Sequence, residues 1–253
     1  MQRLLATVVF WAVVGTGTGV AADDCLSCHR QRDPALVAAW EQSRHNRPGT
    51  DCHACHGPEH DGRMAARARH NDACIGCHPR ESGSYTISKH GVIATLEAGR
   101  TDFTQPLRDG NIRSPSCAYC HIHAGNHAVG VASADLDKAG RAEARAAPCR
   151  DCHSPRLIDT WFSTGDRMVE IGQMKAREAA AVVTAITRRD AEAGAKAQEI
   201  VQHMTAAHLR NVRLGVGHQS PDDQWWHGHP ALDGDLLRIK SILSDQLRLS
   251  AGP

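Results

Sequence analysis

Cys25-Leu26-Ser27-Cys28-His29 sets a pattern that governs the rest of the chain: two cysteines three positions apart, with a histidine directly after the second. The pattern returns as Cys52-His53-Ala54-Cys55-His56, Cys74-Ile75-Gly76-Cys77-His78, Cys117-Ala118-Tyr119-Cys120-His121 and Cys149-Arg150-Asp151-Cys152-His153. These copies use all ten cysteines of the 253-residue chain. From its Cys and His content, chance would supply about 0.03 copies. The spacing is that of c-type haem attachment, in which each thiol adds across a vinyl group to form a thioether and the adjoining histidine reaches the iron from one face. A disulfide framework gives no reason for a histidine after every second cysteine. Zinc knuckles pair one Cys-x-x-Cys with another, or with a spaced pair of histidines. Five covalently bound haem c groups are therefore predicted, with His29, His56, His78, His121 and His153 as proximal iron ligands.

Composition agrees. The chain has only three Phe, five Trp and two Tyr, and much of its 41% hydrophobic content is alanine. Apolar side chains alone would make a thin core for this length, and five porphyrins would supply the missing bulk. The polypeptide without them is not expected to fold. The formal charge of +1 becomes acidic once each haem adds two propionates. Many Lys and Arg are then read as propionate partners and solvated surface. No run of five or more basic residues exists, which argues against nucleic acid as a partner.

Residues 1–22 read as an export signal: Arg3 gives a positive start, residues 4–14 are an apolar run, and Val20-Ala21-Ala22 ends a small-residue cleavage region. The run is too short for a bilayer that needs about 20 apolar residues, so no transmembrane span is expected in the mature chain. Because thioether attachment takes place outside the bacterial cytoplasm, a periplasmic location is predicted, with cleavage near Ala22.

The mature chain divides into a haem-binding region, 23–153, and a helical region, 154–253. In the first, successive first cysteines lie 27, 22, 43 and 32 residues apart, which leaves little room for regular structure. Short helices are predicted over 34–44 and 64–69, and the Ala/Arg-rich stretch 132–147 reads as a solvated helix. Beyond it, Ser154 caps and Pro155 starts a long helix with Leu157, Ile158, Trp161, Met168, Ile171, Val182, Val183 and Ile186 at helical spacing. A second helix is predicted over 190–213, a loop with His218 over 215–223, and a final amphipathic helix over 235–249. The fold class is mainly α with almost no β, and the apolar stripes are read as core or as contacts between copies.

Five of the 17 histidines are proximal, leaving twelve. Second ligands for all five irons are thus available. An iron with two histidines is coordinatively closed and carries electrons, whereas an open sixth position can transform a substrate. By context the distal ligands are His45, His70, His90, His127 and His218, with His60 and His208 in reserve. His53, His227 and His229 are read as non-ligands.

The run Trp40 to His45 before Cys52-His53-Ala54-Cys55-His56-Gly57, then Ser88-Lys89-His90-Gly91, then Ser114-Pro115-Ser116-Cys117-Ala118-Tyr119-Cys120-His121 with His127 behind it, resembles multihaem cytochromes of the hydroxylamine oxidoreductase and cytochrome c554 group. Cys152-His153-Ser154-Pro155-Arg156 running into long helices that end at Gly217-His218 and Trp226-His227-Gly228 extends the likeness over most of the mature chain. The resemblance implies closely stacked, mostly bis-histidine haems wrapped by helices, and C-terminal helices that form oligomers. Departures are as informative. The larger enzymes of this group carry eight haems, and the oxidative ones cross-link a C-terminal tyrosine to the catalytic haem; here Tyr85 and Tyr119 both lie upstream. Related nitrite reductases replace a proximal histidine with lysine, and no such lysine exists here. Single-electron transfer between redox proteins, a quinol dehydrogenase or other cytochromes, is the leading expectation. The alternative is an oxidoreductase acting on hydroxylamine or nitrite at one open haem, for which Cys52/Cys55 with His56-Gly57 is the closest match. No catalytic residue is assigned.

Overall fold

A helical turn carries residues i and i+3 on one side, so a Cys-x-x-Cys wound as helix presents both thiols together, with the histidine one step on. The computed structural model, which describes residues 22–107, 113–129 and 138–251, builds the haem-binding region from short helices, with whole motifs wound this way at 25–29, 52–56 and 117–121. They are α1 (Ala22–Arg32), α2 (Pro34–Gln42), α3 (Cys52–His56), α4 (Met64–Arg69), α5 (Asp72–Ile75), α6 (Pro79–Thr86), α7 (Lys89–Leu96), α8 (Cys117–His121) and α9 (Lys138–Ala146). Two of the motif helices are capped by the residue before the first cysteine. Asp51 Oδ1 accepts from the Ala54 N–H at 3.1 Å, and Ser116 Oγ accepts from the Tyr119 N–H at 3.3 Å, each satisfying a donor with no partner inside the helix. The predicted export signal and the first part of the Ala/Arg-rich stretch lie outside the described residues. Among the described residues there is no strand, only an isolated bridge between Arg47 and Thr50.

Burial is uneven. Among the described residues before 154 the buried apolar side chains are Val37, Ala118, Tyr119, Ala146 and Pro148, beside buried serines at 43, 84, 88, 114 and 116. Nearly all the rest of the core belongs to four later elements: α10 (Pro155–Thr187), α11 (Ala191–His203), α12 (Leu209–His218) and α14 (His229–Ala251), with the short α13 (Pro221–Trp225) between the last two. The 33-residue α10 begins as predicted, Ser154 Oγ accepting from the Leu157 N–H and Pro155 following at the first helical position. It packs along α11, α12 and α14. Two glycines permit that approach: a Cβ at Gly165 would meet Val216 Cγ1 at 2.5 Å, and one at Gly172 would meet Leu209 Cδ1 at 3.0 Å. Ala179, Ile186, Ala197, Met204, Val212, Leu232 and Ile239 are fully enclosed. Replacing Leu232 with alanine is expected to lower stability by about 2–5 kcal/mol. A fall in the denaturant midpoint of the helical circular dichroism signal, with unchanged haem content, would show it.

Three boundaries differ from the sequence reading. The helix predicted over 190–213 is interrupted by a π turn, Met204–His208, and then runs on to His218, past the expected start of a loop. Gly215 survives inside it because a side chain there would meet Gln224 Cγ at 2.7 Å. The helix stops at Gln219, which has φ +59°. The last helix starts at His229 rather than at 235, because Pro230 is compatible with a first turn. Near the N-terminus, α2 ends at Gln42 and Ser43 turns extended.

Candidate haem-binding sites

Each of the five motif histidines has a second imidazole across from it. Ring centroids are 6.4 Å apart for His29 and His60, 6.2 Å for His56 and His127, 5.9 Å for His78 and His45, 6.5 Å for His121 and His218, and 6.0 Å for His153 and His90. An iron between two imidazoles puts their centroids about 6 Å apart, from two metal–nitrogen bonds of about 2 Å and roughly 1.1 Å from each nitrogen to its ring centre. The residues present therefore fit bis-histidine haem at all five motifs. His218 Nδ1, buried without a hydrogen-bond partner, adds to the fit.

Local structure explains how the second imidazoles are held. Arg67 folds the segment from His56 to Asp61 into a tight loop, donating to His56 O at 2.6 Å and Glu59 O at 2.8 Å and pairing with Asp61 at 3.2 Å. One short loop thus carries both His56 and His60. His45 follows the end of α2, where its N–H donates to Ser43 Oγ at 3.1 Å and the Arg44 N–H donates to Val129 O at 3.0 Å. His127 is turned inward by positive φ at Ala124 (54°) and Gly125 (77°). Its Nδ1 lies 2.7 Å from Gly125 O, as His56 Nδ1 lies 3.2 Å from Met64 O. With Nδ1–H donating to a carbonyl, Nε2 is the nitrogen left for a metal. His90 sits in the first turn of α7 behind the Ser88 cap, and Gly91 is required there because a Cβ would meet Tyr85 O at 2.0 Å. His218 closes α12.

Burial depresses the basicity of His45, His56, His90, His121 and His218, so these rings are neutral near pH 7, the form that ligates metal. Burial also raises the Cys52, Cys55 and Cys149 thiols and pushes Cys120 up to about 12. Among the described residues, neither of the two side-chain clusters able to hold a cation contains a cysteine.

The five sites adjoin in sequence order. Cys52 lies within electrostatic range of Cys25, Cys55 of Cys74 and Cys77, and Cys120 of Cys149, while Cys74 and Cys117 share a hydrogen bond. Cross-braces hold the row: Asn71 Oδ1 accepts from the Cys117 N–H at 2.9 Å, the Tyr85 hydroxyl donates to Pro115 O at 2.7 Å, and the Tyr119 hydroxyl donates to Asp151 Oδ2 at 2.6 Å.

Of the five distal histidines predicted from sequence, His45, His90, His127 and His218 face a motif histidine. His70 does not: its ring lies against Phe103 with centroids 4.8 Å apart, its Nδ1 is 3.0 Å from Asp72 Oδ2, and the reserve His60 stands opposite His29 instead. Position immediately before the third motif made His70 attractive. The turn His60-Asp61-Gly62, with Gly57-Pro58 before it, is the sequence sign of a loop that doubles back. The other reserve, His208, faces Asp235 and His203. His53 Nε2 lies 3.4 Å from Cys25 Sγ, His227 pairs with Asp222, and His229 lies beside Lys175.

Comparison with known proteins gives three findings. Residues 22–134, which hold the first four motifs, match the family model described as seven times multi-haem cytochrome CxxCH. A probable nitrite reductase-hydroxylamine oxidoreductase fusion protein of Kuenenia stuttgartiensis is 24% identical over 123 residues, covering 37% of this chain but only 13% of that protein. Among solved structures, a reducing HAO-like (hydroxylamine oxidoreductase-like) protein complex of the same organism contains a chain that matches with a TM-score of 0.58 at 16% identity, covering 91% of this chain and 86% of the other. The likeness is one of fold. No helix among the described residues is long and apolar enough to cross a membrane.

Proposed function

We propose that this chain, a multihaem c-type cytochrome with an HAO-like fold, is an exported pentahaem carrier that moves single electrons between redox proteins in the periplasm. One observation carries the reading: every motif histidine, His56 of the suspected open site included, has an imidazole about 6 Å across from it, so each iron would be closed on both faces. Haem c, when attached, supplies the one-electron couple. The polypeptide supplies thioether anchors at the ten cysteines, neutral imidazoles on both faces, and cross-braces that hold neighbouring sites at fixed spacing. Burial and the charges near each site would stagger the potentials along the row. The haem-binding region, 23–153, would do the carrying. The helices of 154–253 would pack against it through His218, and would meet a partner cytochrome or a second copy through exposed apolar positions such as Leu157, Trp161 and Ile171 of α10.

Turnover of hydroxylamine or nitrite at the Cys52/Cys55 site, the second reading, requires His127 to leave its place opposite His56. Electron paramagnetic resonance of the oxidised, exported protein, with iron counted per chain, separates the two. Five irons with low-spin signals only is the expected result. A high-spin site together with substrate turnover would overturn the carrier reading.

A further inference from the structure

The break in the helix between α11 and α12 is not explained by the haems. At about 100° per residue, side chains five positions apart on a regular α-helix diverge by roughly 140°. The π turn Met204–His208 removes that divergence, and the rings of His203 and His208 come to 4.7 Å between centroids. That is too close for imidazoles on opposite faces of a haem iron, unlike the five pairs above. Facing them from α14 is Asp235, whose side chain is fully buried. Its Oδ2 accepts from His208 Nδ1 at 2.7 Å, and Arg238 pairs with its Oδ1.

We propose that His203, His208 and Asp235 form a binding site for a zinc-type divalent cation, separate from the haems. Ligand atoms of the three side chains already lie within 4.8 Å of one another. Two imidazoles and one carboxylate are a donor set that zinc takes in tetrahedral sites with a fourth, solvent-supplied ligand. His203 lies on the exposed side, where that fourth position would open to water. The cation takes the place of the hydrogen on His208 Nδ1 that Asp235 Oδ2 accepts, and the neutral ring carries its one proton on Nε2. Arg238 then acts as the outer partner that keeps the carboxylate aimed inward. A hydrogen bond between His208 and Asp235 alone would need neither His203 nor a π turn, which is rare in proteins and concentrated at functional sites. Metal binding would clamp the junction of α11 and α12 to α14, at a point about 15 Å along the helix from His218. This inference does not depend on how many haems are bound or on what they do.

The test uses the full-length haem-loaded protein, stripped with a chelator, dialysed against Zn²⁺ and assayed for zinc and iron together. One zinc per chain is expected, with affinity at least about tenfold weaker in His203→Ala, a surface change that should leave folding intact. Zinc should also raise the unfolding temperature of the native protein by a few degrees and leave that of His203→Ala unchanged. His227→Ala, which removes an imidazole from the exposed cluster with Asp222 and Asp223, serves as the control. The proposal is overturned if no zinc is retained, if retention follows His227 rather than His203, or if His203→Ala and the native protein respond alike.

Discussion

Replacing His60 with alanine is expected to convert one of the five sites from low spin to high spin, whereas His70→Ala should leave all five low spin. His60 stands opposite His29 on a loop closed by Arg67, with ring centroids 6.4 Å apart, while the ring of His70 lies against Phe103. Removing the imidazole across from His29 opens the coordination position that it would fill. The oxidised variant should therefore show about one fifth of its iron as high spin, and the reduced variant should bind carbon monoxide at that one site. His60 is exposed, so the change should cost little stability and the chain should still carry five haems. The reverse pattern, with His70→Ala producing the open site, would sink the proposed pairing.

Loss of the central site carries the other large effect. Cys55 is near Cys74 and Cys77, and Cys74 is hydrogen bonded to Cys117, so the third site lies between the first two and the last two. A Cys74→Ala/Cys77→Ala variant should hold four irons per chain. When electrons enter from one end, reduction of the far sites should slow by orders of magnitude, because transfer falls steeply with gap length. Cys149→Ala/Cys152→Ala also removes one iron, but from the end of the row, and its remaining four sites should still equilibrate quickly. Stopped-flow reduction of both variants provides the comparison, with circular dichroism of α10 to α14 checking that each has folded. Equal rates in the two would mean that the sites do not form a line.

Much of this was legible in the sequence because the attachment chemistry is written in fixed local spacing. The five Cys-x-x-Cys-His motifs and the helical character of the C-terminal region needed no tertiary information. The second ligands were harder, because each arrives from a distant segment. His45 and His90 could be picked by their places near helix ends and His218 by a loop expected between helices, whereas His60 depended on how Arg67 folds back over the His56 to Asp61 loop, a contact that no periodicity announces. The π turn was equally hidden: Met204-Thr205-Ala206-Ala207-His208 has ordinary helix-forming content, and only packing of His208 against the buried Asp235 distinguishes it from a continuous helix. Helix boundaries around Gly215 and Pro230 moved for the same reason, since a close approach between helices and a proline in a first turn reverse the usual meaning of those residues as breakers.

The direction in which second ligands are recruited has a consequence for biogenesis. On the proposed pairing, His78 and His153 look back to residues already exported, His45 and His90. His29, His56 and His121 instead await residues further along the chain, and His121 must wait for His218 at the end of α12. Maturation would then finish out of sequence, with the fourth station completed last. A nascent or proteolytically clipped chain ending near Ser154 could carry its full pigment and yet expose one reactive metal to cyanide, nitric oxide or peroxide. In that sense the C-terminal helices serve as a stopper, and premature truncation would turn a harmless conduit into a source of unwanted chemistry.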